Sequence, residues 1–322
     1  MKDTDYAYAV ARIRANEGRL LTGAILEEIV AAPSYEKALS ILCANGWAEP
    51  GVTDVSALVR AQNEQLWRLL KESVPDPEEL QVLTALNDSF NLKAALKCML
   101  TGADPAPYYV QPTVLDLEAL TDAMQRHAFE KLPAPLGDCA KQAYETACRT
   151  ESGQSADVII DAAALAALSA MAEQTDRALV ARILRFLCDS ANMKIALRCA
   201  RTGKDLSFTD SAVGPCHAFD RDALCAAAVR GEAPLLALLA STPYRDAVDA
   251  LKKSTTAFEK WCDDQVVALC REAKYLFFGF EPIAAYYFAK TAEIKAVRIV
   301  LSAKLSGVSA ETIRERVRDL YV

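Results

Sequence analysis

Apolar residues return every three or four positions along most of the chain, the spacing of one face of an α-helix. Leu92, Ala95, Leu96 and Met99 stand at i, i+3, i+4 and i+7, and Met193, Ala196 and Leu197 begin the same stripe again. From the N-terminus, the pattern predicts an amphipathic helix over 5–22, carrying Tyr6, Val10 and Ile13 inward and Arg12, Arg14 and Glu17 outward. A second helix over Ala24–Ala32 stops at Pro33, and a third starts from a Ser34 cap and ends at Asn45-Gly46. Long helices follow at Thr53–Lys71, Ser155–Glu173 and Thr255–Phe277, and further ones at Pro77–Leu86, Thr175–Cys188 and Pro282–Lys290. Ile283–Leu305 and a final helix Ala310–Leu320 close the chain. Runs of β-branched residues are scarce, so the class is all-α.

The polar positions repeat as well as the apolar ones. Asp88-Ser-Phe-Asn-Leu-Lys-Ala-Ala-Leu-Lys-Cys-Met-Leu-Thr-Gly-Ala-Asp104 returns as Asp189-Ser-Ala-Asn-Met-Lys-Ile-Ala-Leu-Arg-Cys-Ala-Arg-Thr-Gly-Lys-Asp205. Ten of seventeen positions are identical, at an offset of 101 without a gap. A further 101 residues on, Glu293-Ile-Lys-Ala-Val-Arg-Ile299 keeps the pattern in diluted form. A fixed internal period is the signature of a repeat architecture, and this one predicts three pseudo-threefold-related helical lobes. Pro- and Gly-rich passages at Asp104-Pro-Ala-Pro107 and Asp205–Pro215 divide them, giving lobes at 1–107, 108–212 and 213–322. Asp88 and Asp189 are expected near helix N-termini, where a carboxylate complements the dipole. Gly102 and Gly203 are expected to stop the helices.

Lys93 with Lys97, Lys194 with Arg198, and Lys295 with Arg298 place two cations three or four residues apart in each copy. They are either a solvated helix face or, if a rotation relates the lobes, a ring of six. Tyr275-Leu-Phe-Phe-Gly-Phe280 is expected in the core, with a protein-facing patch as the alternative.

With a net charge of −7, the chain has no electrostatic footprint for nucleic acid. Its ten cysteines include no C-x-x-C pair and mostly fall on apolar or small helix faces, where free Cys acts as a small hydrophobe. With no signal peptide read at the start, they point to a reducing compartment. Cys216-His217 lacks a partner pair at zinc-ligand spacing. Ala162–Ala172, an uncharged and strongly apolar run, is too short to span a bilayer and is expected as a buried core helix.

Catalytic patterns are missing. Gly203-Lys204 lacks the upstream glycine of a phosphate-cradling loop. His127 and His217 are the only histidines. Asp263-Asp264 runs into Gln265-Val266-Val267 rather than a further carboxylate, which disfavours a prenyl-diphosphate type of enzyme. Glu27-Glu28 and Glu78-Glu79 lie on amphipathic helices. The reading is a binding or mechanical protein with no catalytic residue, no cofactor and no metal.

The C-terminal run sharpens this. Glu281-Pro-Ile-Ala-Ala-Tyr286, Lys290, Glu293-Ile-Lys295, Arg298-Ile299, Lys304-Leu-Ser-Gly307 and Ile313-Arg-Glu-Arg-Val-Arg-Asp-Leu-Tyr-Val322 resemble the C subunit of prokaryotic V/A-type ATPases, the counterpart of the eukaryotic d subunit. Tyr6-Ala-Tyr-Ala-Val-Ala-Arg-Ile-Arg-Ala15 is similar to that family's opening helix, and Asn91-Leu92-Lys93 and Asn192-Met193-Lys194 to its internal helices. The resemblance covers the whole chain; the cysteine load, Phe288 and Thr291 depart from it.

The resemblance implies a funnel or collar of three lobes, one copy per complex, at the cytoplasmic face of a membrane. There it would sit between the proteolipid rotor ring and the D and F subunits of the shaft, carrying torque without touching nucleotide or nucleic acid. Arg12, Arg14, Lys93, Lys97, Lys194, Arg198, Lys295 and Arg298 are then the candidates for partner-facing charge. The rival is a free-standing helical-repeat scaffold that binds a protein or peptide in its concavity.

Overall fold

The structure, a computed structural model, describes residues 2–150 and 152–322. Every regular element among them is a helix. The chain opens with α1 (Ala7–Glu17), α2 (Gly23–Ala31) and α3 (Tyr35–Ala44), then runs through the long α4 (Val55–Ser73) and α5 (Gln81–Thr101). It continues with α6 (Leu117–Gln125), α7 (Ala134–Thr150), α8 (Gly153–Gln174) and α9 (Ala178–Thr202). The last part holds α10 (Leu206–Ala212), α11 (Arg221–Arg230), α12 (Glu232–Ala240), α13 (Ala247–Lys253), α14 (Thr255–Arg271), α15 (Glu281–Leu305) and α16 (Ala310–Arg316).

Side-chain caps fix many of the starts. Ser34 accepts the Lys37 amide, Asp54 the Ala57 amide, Ser152 the Ser155 amide and Ser254 the Ala257 amide. Each such cap stabilises its helix by about 0.5–2 kcal/mol. Gly102 and Gly203 end α5 and α9 at φ of 70° and 62°, where a Cβ would be strained, as the sequence predicts. The two passages read as linkers differ from each other. Residues 106–108 form only a 3-10 turn, whereas Asp205 caps the Phe208 amide at 2.8 Å and starts α10 inside the second passage.

The long helices come in pairs, α4 with α5, α8 with α9 and α14 with α15, at intervals of about one hundred residues. In the first two pairs the second helix is longer than the sequence pattern suggests, whereas α15 keeps close to the expected Ile283–Leu305. The segment expected as a lead-in and the repeated segment are one continuous helix, because nothing between them breaks it. Asp88 and Asp189 therefore lie inside α5 and α9, and the expectation of helix N-termini is corrected.

Two compact units emerge. The first gathers the chain up to Pro77, Arg177–Ile183 and Asp246–Val322. There α15 packs against α4, α14 and α1. Leu26, Ile29, Leu42, Val297, Val300 and Ile313 lie together in its core, each stabilising the unit by about 1.5–3 kcal/mol. The second unit gathers Glu78–Asp176 and Leu184–Arg245, with α8 against α5, α7 and α10. Its core joins Leu92 and Leu96 of α5 to Leu120, Met124, Ala140 and Ile160.

The run Ala162–Ala172 belongs to α8, which has the length and composition of a membrane-crossing helix. It is half-buried rather than buried throughout. Ile160, Leu165 and Leu168 point inward, and alanines coat much of the remaining surface.

Candidate partner-binding site

The repeated polar residues turn out to be buried. Three residues apart on a helix share a face, so Asp88 and Asn91 project together from α5, and Asp189 and Asn192 from α9. Asn91 donates to the Val110 carbonyl at 3.1 Å and accepts the Val110 amide at 2.7 Å. Asn192 does the same with Gly214, donating at 3.3 Å and accepting at 2.8 Å, and adds the Pro215 carbonyl at 2.7 Å. Asp88 takes the Thr113 and Thr84 hydroxyls. Asp189 takes the amides of His217 at 2.7 Å and Ala218 at 3.1 Å and the Tyr244 hydroxyl at 2.8 Å. In both copies, then, the long helix clamps the strand of loop that opens the following repeat. Burial raises the pKa of both carboxyls, and the hydrogen bonds they accept hold it back.

The third copy keeps the positions and changes the chemistry. Lys290 and Glu293 stand where Asp and Asn stand in the others. Glu293 is 2% exposed. It accepts the Leu21 amide at 2.6 Å, the Trp47 indole N–H at 2.8 Å and the Lys290 ammonium at 2.5 Å. The clamp here holds two loops of the first repeat, at Leu21 ahead of α2 and at Trp47 after α3. A buried carboxylate is tolerable only with such partners.

The eight candidate cations divide by whether their charge is already engaged. Lys93 and Lys97, one turn apart on α5, meet Asp161 at 2.5 Å and Asp157 at 2.8 Å, one turn apart on α8. Lys295 meets Asp263 at 2.5 Å, and Arg318 shares that carboxylate at 2.8 Å. Arg14 grips Glu17 and the carbonyls of Ala273 and Leu276 at 2.6 Å, tying α1 to the segment before α15. Burial, the largest single effect, works against its charge, but Glu17 and Tyr321 together more than offset that and its pKa stands above the ordinary arginine value. Arg12 reaches Glu72 at 3.2 Å and lies 5.7 Å from the Tyr8 ring. Lys194, Arg198 and Arg298 are exposed and form no ion pair among the described residues.

The aromatic run before α15 is not core. Tyr275, Phe277 and Phe278 are 80%, 71% and 57% exposed, and only Phe280 turns inward. Arg14 holds the Ala273 and Leu276 carbonyls beside these rings. Seven of the ten cysteines are buried and none is in a disulfide. Cys270 is pushed up to about 12 by burial, far from a reactive thiolate. No cluster of metal-ligating side chains occurs among the described residues.

Sequence reasoning reached the repeat but missed its clamp. The available signal was the identity of Asp and Asn at i and i+3 in both copies; a solvated face does not require that.

The likeness to known proteins runs the length of the chain. A family described as ATP synthase (C/AC39) subunit matches residues 9–316. The C subunit of the V-type sodium ATPase of Enterococcus hirae is 26% identical over 320 residues, covering 96% of this chain and 97% of that protein. With a family match that runs through all three copies of the long-helix pair, the chain belongs to the C/AC39 subunit family of V-type ATPases.

Proposed function

We propose that this chain is the central-stalk rotor adaptor of its V-type ATPase, joining the D and F subunits of the shaft to the proteolipid ring on the cytoplasmic face of the membrane. It transmits torque during ion transport and catalyses nothing itself. The observation that carries this reading is the order of the clamps. Asn91 of the first repeat holds Val110 at the start of the second, Asn192 holds Gly214 at the start of the third, and Glu293 holds Leu21, just ahead of α2, in the first. An order in which the third repeat leads back to the first supports a closed collar of three lobes, at 1–107, 108–212 and 213–322. A collar suits a part that surrounds a shaft and turns with it.

Grip without a membrane anchor needs dispersed polar contacts and some apolar area. The exposed Lys194, Arg198 and Arg298 supply charge free of internal partners, and Tyr275, Phe277 and Phe278 supply apolar surface. Arg12, Lys93, Lys97 and Lys295 contribute only as far as a partner competes with Glu72, Asp161, Asp157 and Asp263. Arg14 serves the fold.

The test is co-purification of the tagged chain with the D and F subunits and the proteolipid ring from solubilised membranes. Recovery of both shaft and ring in stoichiometric amounts is the expected result. A monodisperse chain that brings down neither would overturn the proposal in favour of a free-standing scaffold.

A further inference from the structure

A cavity of about 490 Å³ opens in the first unit between α1, α4 and the N-terminal half of α15. Its floor is buried: Trp47, Leu66 and Tyr286 are 3%, 2% and 5% exposed. Gln62 fixes the wall by donating to the Trp47 carbonyl at 2.6 Å. Four cations line the cavity, Arg12, Arg19, Arg68 and Lys290, against one lining carboxylate, Glu72.

These charges are not equally available. Lys290 is held by Glu293 below it, at 2.5 Å, and Arg12 by Glu72 at 3.2 Å. Arg19 and Arg68 are exposed and form no ion pair among the described residues. Pairing Lys290 with Glu293 and Arg12 with Glu72 therefore leaves a surplus of two positive charges, both at the mouth, on a chain whose net charge is −7. A small polyanion enclosed in the cavity would need unspent cations at the floor, and there the only one is neutralised. Carboxylates presented by a larger molecule lying across the mouth would meet both guanidiniums, whose forked donors match carboxylate geometry.

We propose that this cavity receives an acidic segment of a partner protein, with Arg19 and Arg68 pairing to its Asp or Glu side chains at the mouth and Arg12 joining them. The proposal rests on the rotor-adaptor reading only for which partner supplies the segment. An acidic peptide meets general repulsion from a chain of this net charge, so binding marks a local site.

The experiment measures fluorescence anisotropy of a labelled poly-glutamate peptide against the folded full chain at about 50 mM salt, where screening is modest. Saturable binding is expected. Arg19→Glu/Arg68→Glu should weaken it about tenfold or more, while Lys141→Glu, an exposed cation on α7, leaves it unchanged. Circular dichroism confirms that the variants keep their helix content. No binding by the unaltered chain, or equal binding by the double variant, overturns the proposal. Pyrophosphate binding tighter than the peptide, and lost in the same variant, overturns it in favour of a small-anion site. A separate pull-down with the D and F subunits and the proteolipid ring distinguishes the two readings. Peptide binding that persists when the ring and shaft are not recovered sinks the adaptor role and leaves the acidic-segment site standing.

Discussion

Trp47 donates its indole N–H to Glu293 at 2.8 Å, across 246 residues of chain. Lys290 closes the group, 2.5 Å from the same carboxylate oxygen and 5.6 Å from the centre of the Trp47 ring. Removing one member of a buried ion pair leaves the other uncompensated, at a cost of about 3–5 kcal/mol. Glu293→Gln and Lys290→Met are each expected to lower stability in urea unfolding. The double variant should lose less than the sum, by about 0.5–3 kcal/mol, because the second change removes the orphan left by the first. Strictly additive losses would show that the pair is not coupled.

Much of this architecture is legible in the sequence, and the reason lies in particular residues. Gly102 and Gly203 end helices because the left-handed backbone at each admits few other residues, and that demand is local. Leu92 and Leu96 mark a buried face because their spacing is set by the helix alone. The clamp is different. Asp88 and Asn91 satisfy groups some twenty residues downstream, and a sequence window cannot distinguish that from a carboxylate facing a helix N-terminus. Charge engagement is equally nonlocal: Lys93 and Lys194 read alike, yet among the described residues only Lys93 of the two finds an aspartate on a neighbouring helix. The aromatic run misled for a related reason, since the Arg14 side chain that holds the backbone beside Phe277 and Phe278 comes from the far end of the chain.

Asp189 predicts an unusual pH response. Burial raises its folded-state pKa above the unfolded value near 4, against hydrogen bonds from the His217 and Ala218 amides and the Tyr244 hydroxyl. Between those two values the folded state keeps a proton that the unfolded state has released. This group therefore lowers stability as pH rises through the window, with the full penalty above the folded pKa. Asp189→Asn loses acceptors and should be less stable at every pH. Its deficit relative to the unaltered chain should shrink from pH 4 towards neutrality, measured by urea unfolding at matched ionic strength. Parallel curves would mean that Asp189 does not titrate abnormally.

Two glycines of α7 and α8 should respond to alanine with opposite signs. A Cβ at Gly137 would lie 2.3 Å from the Phe129 carbonyl oxygen, which belongs to backbone and cannot swing aside. At Gly153, in the first turn of α8, nothing lies within 4 Å. Gly137→Ala is expected to destabilise the chain by about 1–3 kcal/mol. Gly153→Ala should stabilise it by about 0.4–1 kcal/mol through the entropy of the unfolded chain. Thermal unfolding of the two variants side by side checks both directions at once.

The engaged and the free cations make the last contrast, and it separates fold from grip. Lys93→Glu/Lys97→Glu sets carboxylates against Asp161 and Asp157, replacing two attractive contacts with repulsion between α5 and α8. Exposed pairs contribute about 0.2–1 kcal/mol each, so the combined loss of stability should reach about 1 kcal/mol or more. Lys194→Glu/Arg198→Glu disturbs no internal pair and should leave stability within about 0.5 kcal/mol. Binding to the ring and shaft should fall in this second variant, and the difference should fade with added salt as the Debye length shrinks below about 8 Å. If reversing Lys194 and Arg198 leaves binding untouched at low salt, that face of α9 is solvated surface, and the grip lies elsewhere, at the exposed aromatics before α15, at Arg298 or at Arg19 and Arg68.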